Sequence, residues 1–234
     1  MIWVGTSGYN YVEWLGTFYP PGLPASRMLE YYSARLSTVE INYTFYRMPS
    51  ERTLDGWLAA TPEDFRLTLK APKRITHDRR LRDCGPQVTE FCVLASRLGA
   101  RLGALLFQLP PSLRKDLQLL DDFLQALPVD TRAAIEFRHA SWHGEDVLER
   151  LRSRNVALCV ADSERMTSPL VATAAFGYYR LRDEGYTPED LEQWARAIEA
   201  QWGEDSDAFV YFKHEEAGKG PEFARILAEK LRRS

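Results

Sequence analysis

Cysteine is scarce: Cys84, Cys92 and Cys159 are the only 3 in 234 residues. An odd, widely spaced set fits neither a disulfide framework nor a zinc ribbon. No run of about 18 apolar residues occurs, so no membrane-spanning helix is expected. The opening MIWVGTSGYNY has no positively charged segment and no small-residue cleavage site, so no secretory signal is read there and the expected location is cytoplasmic. Neither sign of charge dominates. Lys and Arg number 30, Asp and Glu 33, for a net −3, and no global field draws the chain to nucleic acid or anionic lipid. With 14 Gly and 13 Pro the chain is neither collagen-like nor a linker. A hydrophobic fraction of 45% excludes a disordered chain, which would lack the apolar area to offset its entropy. Common motifs are absent too. There is no G-x-G-x-x-G after a strand, no phosphate-binding G-x-x-x-x-G-K-[ST], no H-E-x-x-H and no C-x-x-C. Gly5-Thr6-Ser7-Gly8 lacks the second glycine spacing of a nucleophile elbow and reads as a tight turn ending a strand.

What is present is a rhythm of strand then helix. Eight short apolar stretches read as strands: 2–6, 38–42, 66–70, 104–108, 133–137, 156–161, 178–181 and 208–212. Continuous apolar runs of this length suit parallel strands covered on both faces. Between them lie stripes of helical period. Leu191, Trp194, Ala195, Ile198 and Trp202 follow Thr187 at the N-cap position, Pro188 and Asp190, a start signal that serves the unpaired N–H groups of a first turn. Leu117, Leu120, Phe123, Leu124 and Leu127 are stopped by Pro128. Further stripes carry Met28, Leu29 and Tyr32; Leu54 and Trp57; Val88, Phe91 and Leu94; Val147, Leu148 and Leu151; and Phe223, Ile226, Leu227 and Leu231. Residues 162–177 hold Pro169 and no clean stripe, so a missing or degenerate helix is expected between strands 6 and 7. Alternating units imply right-handed crossovers and a parallel sheet, and eight of them fit one α/β domain over residues 1–234, a TIM-barrel-like (β/α)8 closed barrel.

In such barrels the site is built where strands end. Thr6, Ser7, Tyr9 and Tyr11 follow strand 1, Glu40, Asn42, Tyr46 and Arg47 strand 2, and Lys70, Lys73, Arg74 and His77 strand 3. Gln108 ends strand 4, Glu136, Arg138 and His139 come from strand 5, and Asp162 from strand 6. Strand 7 supplies Arg180 and Arg182, and strand 8 Lys213 and His214. Each has a plainer role available. Glu40 alternates with Val39 and Ile41 and can pair inside the barrel with Lys70 or an arginine. Glu136 and Arg138 can pair on one face if the strand runs that far. Asp162 can cap a turn, and Trp142 is a packing residue. His139 and His143 are four apart, but Ala-Ser-Trp between them reads as a strand-to-helix turn rather than a metal pair. Charge and aromatics are nonetheless uneven. From Arg66 to Arg82 seven basic residues face one acid, Asp78, and ten aromatics lie between Tyr9 and Tyr46. Basic groups at a barrel mouth favour an anion, and aromatic faces suit a sugar or base.

The same segments carry a family resemblance. GTSGYNYVEWLGTFYP (5–20), YYSARLSTVEINYTFYRMP (31–49), FRLTLKAPKRITH (65–77), LLFQLPPSL (105–113), AIEFRHASW (134–142) and Tyr179-Arg180 resemble, in order, the YecE-like family, domain of unknown function 72. The resemblance implies a TIM-barrel-like fold and no established reaction. Its matched motifs contain Ser7, Glu40, Asn42, Tyr46, Arg47, Lys70, His77, Gln108, Glu136, Arg138, His139 and Trp142. An Asn-rich segment that the family often shows after strand 8 is replaced here by FKHEEAG (212–218).

Two functions follow. One is an enzyme for a small phosphate- or sugar-like anion: a hydrolase, lyase or isomerase working without a metal. Glu136, Lys70 and Glu40 are its candidate catalytic residues, and Ser7, Asn42, Tyr46, His77, Gln108, Arg138, His139, Asp162 and Arg180 its candidate binding residues. A metal-assisted variant would use Glu40, Glu136, Asp162 and His139. The other is a nucleotide or single-stranded nucleic-acid binding module that stacks bases on the aromatic loops. The sequence names no cofactor and no oligomeric state. The expected interior pair is Glu136 with Lys70 or Arg138.

Overall fold

A computed structural model of the chain describes residues 1–162, 168–183, 185–203, 206–214 and 218–232. Eight parallel strands, β1 (Ile2–Ser7), β2 (Thr38–Ile41), β3 (Arg66–Lys70), β4 (Leu102–Gln108), β5 (Ala133–Glu136), β6 (Ala157–Asp162), β7 (Phe176–Leu181) and β8 (Asp207–Phe212), pair in chain order. The ring closes where β1 pairs β8, from Ile2 opposite Ala208 to Thr6 opposite Phe212.

The helices lie outside: α1 (Ala25–Ser33), the single turn α2 (Tyr43–Tyr46), α3 (Glu51–Ala59), α4 (Gly85–Ser96), α5 (Leu117–Ala126), α6 (Glu145–Ser153), α7 (Pro188–Trp202) and α8 (Lys219–Leu231). Their starts follow the chemistry of the sequence. Thr187 and Asp190 form a reciprocal capping box at α7. Ser50 accepts from the Thr53 N–H at α3, and Asp116 from the Leu119 N–H at α5. None of the helices is long and apolar enough, among the described residues, to cross a membrane. Outward strand residues such as Val39, Leu69, Phe107, Ile135 and Val210 share one core with Leu29, Leu54, Phe91, Leu120 and Ile198 from the helices. Burying a side chain of this size stabilises by about 1.5–3 kcal/mol. All three cysteines are buried and free.

The interior changes character from floor to mouth. Trp3, Phe176 and Phe209 fill the lower layer. Above them Tyr211 is hydrogen-bonded to Thr38 at 2.9 Å and Thr68 at 2.7 Å. The top layer holds Ser7, Glu40, Gln108, Glu136 and Arg180, all buried. Inward residues sit at every second position of a strand, so this gradient is written as Phe176, Tyr178, Arg180 along β7. Gly5 is required where β1 lies against the start of β2: a Cβ there would stand 1.9 Å from the Thr38 carbonyl oxygen. Into the same corner Tyr32 accepts from the Thr6 N–H and donates to Thr38 O.

Two strands end one residue earlier than the sequence reading has them, and the expected gap between β6 and β7 is present in the described residues. β2 ends at Ile41, and Asn42 opens α2 rather than continuing the strand. β5 ends at Glu136, so Phe137 and Arg138 leave the alternation. No helix occupies residues 168–175 between β6 and β7, and residues 163–167 lie outside the described part. The helix-free wall is strapped to β6 by hydroxyls: Thr173 bridges the Val156 carbonyl and the Leu158 N–H, and Ser168 accepts from the Ala161 N–H.

Candidate functional site

Arg180 organises the mouth. From β7 its Nη1 donates to Glu136 Oε2 on β5 at 2.6 Å, and its Nη2 to Glu40 Oε1 on β2 at 2.8 Å and to Ser7 Oγ at 3.1 Å. Ser7 donates to Glu40 Oε1 at 2.5 Å and accepts from Asn42 Nδ2 at 3.0 Å. Tyr178 donates to Glu40 Oε2 at 2.6 Å. Gln108 Nε2 and Arg182 Nη2 complete Glu136, at 2.8 and 2.7 Å. Every oxygen of the two buried carboxylates is therefore engaged, which is what makes their burial tolerable. Burial alone would raise both pKa values. The arginines and the hydrogen bonds outweigh it, so both stay low, Glu136 at about 2.

Lys70, the last residue of β3, is treated differently. Its ammonium makes no hydrogen bond or ion pair among the described residues and lies over the Phe45 ring, 4.1 Å from the centroid. Burial, together with the positive charge of Arg180, pushes its pKa down to about 8 against the opposing pull of Glu40 and Glu136. His77 meets the same ring edge-on at 5.0 Å and pairs with Thr76 Oγ1 at 2.9 Å. Its pKa is lowered by burial, and by the charges of Lys70 and Arg138. His77 sits in a π-helical turn, Arg74–Asp78, a local geometry common at functional sites.

The expected partners of Glu136 need correcting. They are Arg180 and Arg182, not Lys70 or Arg138. β5 stops before Arg138, which turns out to solvent, and Arg180 of β7 with Arg182 just beyond it occupy the oxygens that Lys70 would need. The other candidates divide. Ser7, Glu40, Asn42, Gln108, Glu136 and Arg180 form one contiguous network, with Lys70 and His77 beside it around Phe45. Tyr46 packs edge-on against Phe45 but is 76% exposed. His139 caps the short turn Ala140–Trp142, its Nδ1 accepting from the Ser141 N–H at 3.2 Å. Asp162 accepts from Tyr186 at 2.7 Å. Among the described residues no three His, Cys, Asp or Glu side chains gather in a way that could hold a metal ion, so Glu40, Glu136, Asp162 and His139 are not one ligand set.

Tyr178 is not among the sequence candidates, Arg182 stands there only as a strand-end residue with no assigned role, and Phe45 is one of the ten aromatics from Tyr9 to Tyr46. The signal for the first two was available: Tyr178, Arg180 and Arg182 are spaced by two and share one strand face. Nothing in the spacing of Phe45 marks it as a platform for Lys70.

A family model described as "Protein of unknown function DUF72" matches residues 3–234. The chain is 27% identical to the UPF0759 protein YecE of Escherichia coli K12, across 100% of this chain and 94% of that protein. It is 22% identical to the UPF0759 protein YunF of Bacillus subtilis 168, across 99% and 95%. A crystal structure of a DUF72 family protein from Thermotoga maritima superposes with a TM-score of 0.85 at 26% identity, covering 99% of each chain. One from Enterococcus faecalis gives 0.82 at 19% identity, over 100% of this chain and 96% of that one, a likeness of fold alone. With barrel, motifs and family model agreeing over all but the first two residues, the chain belongs to the DUF72 family.

Proposed function

We propose that this barrel is an enzyme that takes a small anionic, phosphate- or sugar-like substrate at its C-terminal mouth. One observation carries the reading: among the described residues the Lys70 ammonium has no hydrogen-bond or ion-pair partner at the mouth, only the Phe45 ring, while both neighbouring acids are engaged by arginines. A lysine with only a structural task would normally take one of those carboxylates. Exposed Arg138, within electrostatic range of His77, adds positive charge on the same rim. A substrate anion supplies the missing counter-charge through charge-assisted hydrogen bonds.

The roles follow from protonation. A carboxylate held near pKa 2 is a poor proton acceptor at neutral pH, because general-base efficiency peaks when the pKa approaches the working pH. Glu136 and Glu40 are therefore positioning residues that fix Arg180 and Arg182. Lys70, pushed down to about 8, is the group placed to exchange a proton, beside His77, whose neutral form is favoured by burial.

The test is thermal stability in phosphate, sulfate and sugar phosphates at constant ionic strength. A ligand at a hundredfold its Kd stabilises by about 2.7 kcal/mol. Wild type should gain and Lys70→Ala should not. A gain no larger than that of chloride in wild type overturns the reading.

The nucleotide alternative has one observation of its own. A groove of about 310 Å³ lined by Tyr9, Tyr11, Tyr43 and Trp57 adjoins Asn42, which touches the ion network through Ser7. A salt titration of single-stranded oligonucleotide binding separates the two, since phosphate contacts make affinity fall steeply with salt.

A further inference from the structure

Among the described residues the charged side chains of the mouth are not all held alike. Glu40, Glu136, Arg180 and Arg182 are tied together. Lys70 is partly buried on an aromatic face, with two carboxylates in electrostatic range and neither in contact. Water is restricted at one side by Phe45, and no hydrogen bond fixes the amine. Beside that ring lies a groove of about 600 Å³ lined by Phe45 and Tyr46, by the basic Lys73, Arg74 and Arg79, and by the acids Asp78 and Glu90; it has room for the tail of a small molecule and one positive charge in excess.

We propose that Lys70 is a nucleophile that forms an imine with the aldehyde or ketone carbon of an anionic substrate. The proposal rests on the anion-binding reading and adds the functional group the substrate must carry. Neutral Nζ attacks the carbonyl carbon, forming the C–N bond as the carbonyl π pair moves to oxygen. That oxygen gains a proton and the nitrogen loses one, giving a carbinolamine. Protonation of the hydroxyl and its departure as water, driven by the nitrogen lone pair, leave the iminium, and the nitrogen then gives back one proton to leave the imine. Amine plus carbonyl becomes imine plus water, with no oxidant or reductant. Only the free base can attack. With a pKa of about 8, roughly a quarter of Lys70 is free base at pH 7.5, against about one in a thousand for an ordinary lysine. The charged groups facing it are Arg180, Glu40, Glu136 and Lys213.

The experiment is reductive trapping of the full-length protein. Glyceraldehyde 3-phosphate or glyceraldehyde is added with borohydride, and labelled lysines are located by peptide mass. Lys70 should label at least tenfold faster than exposed Lys219, with a rate that rises through about pH 8. Inorganic phosphate should protect Lys70 and leave Lys219 unaffected. In Lys70→Arg the Lys219 rate should persist while the Lys70 peptide stays unlabelled. Lys70 labelling no faster than Lys219 overturns the proposal, and if phosphate still raises the melting temperature, the anion reading survives that failure. Fast labelling by glyceraldehyde that phosphate does not slow upholds the nucleophile and removes the anion site.

Discussion

Arg180 reaches Glu40 through the interior of the barrel at 2.8 Å, joining two strands that are not neighbours in the sheet. The same guanidinium holds Glu136, so a single side chain bridges two buried acids, and Arg182 brings the second positive charge. Removing one member of such a group strands the charge of the others.

Glu136→Ala should therefore cost about 3–5 kcal/mol, because it leaves Arg180 and Arg182 buried without this carboxylate. Urea unfolding measures it. A loss under about 1 kcal/mol would mean that solvent reaches the arginines.

The acid limb of stability should carry the same signature. Glu136 is lowered from an ordinary 4.5 to about 2, so the folded state binds its proton later than the unfolded state does. Its contribution is complete above about pH 4.5 and is lost as pH falls toward 2. Glu136→Gln should flatten the pH dependence in that window, read as melting temperature against pH.

Lys70 has the opposite sense. A lysine lowered to about 8 is less protonated when folded than unfolded between about pH 8 and 10.5, so stability rises with pH across that span. Lys70→Met should abolish the rise and should stabilise the protein at pH 7 by about 1–2 kcal/mol, one pKa unit being worth about 1.4 kcal/mol less the lost contact with Phe45.

Arg138→Ala should leave unfolding within about 0.5 kcal/mol of wild type, since the side chain is exposed. It should nevertheless reduce the melting-temperature gain in phosphate. Equal gains in both proteins would remove Arg138 from the site.

Gly5→Ala tests the backbone. The added methyl meets a carbonyl oxygen, not a movable side chain, so β1 and β2 must part. The protein should unfold several degrees lower or fail to accumulate folded.

The barrel was legible because its evidence is local and repeated: apolar runs of strand length, capped stripes between them, and a gap where Pro169 interrupts the pattern. The top layer was half legible. Glu40 and Glu136 announce themselves as acids within buried strands, and an arginine partner is legible for Glu40, but Glu136 reads as pairing with Lys70 or Arg138. The pairing depends on where β5 ends, by two residues, and on how far around the ring an arginine reaches. Sequence spacing encodes the face of a strand and not the stagger between strands. Lys70 shows the limit most plainly. Its charge was visible, but its lack of a partner is a property of what Arg180 and Arg182 do elsewhere.

The lower layer has a consequence of its own. Trp3, Phe176 and Phe209 close the barrel like a stopper. A ligand of Lys70 would therefore arrive and depart through one doorway, with an outgoing molecule in the path of the next. Traffic at such a mouth would be by exchange, never by passage.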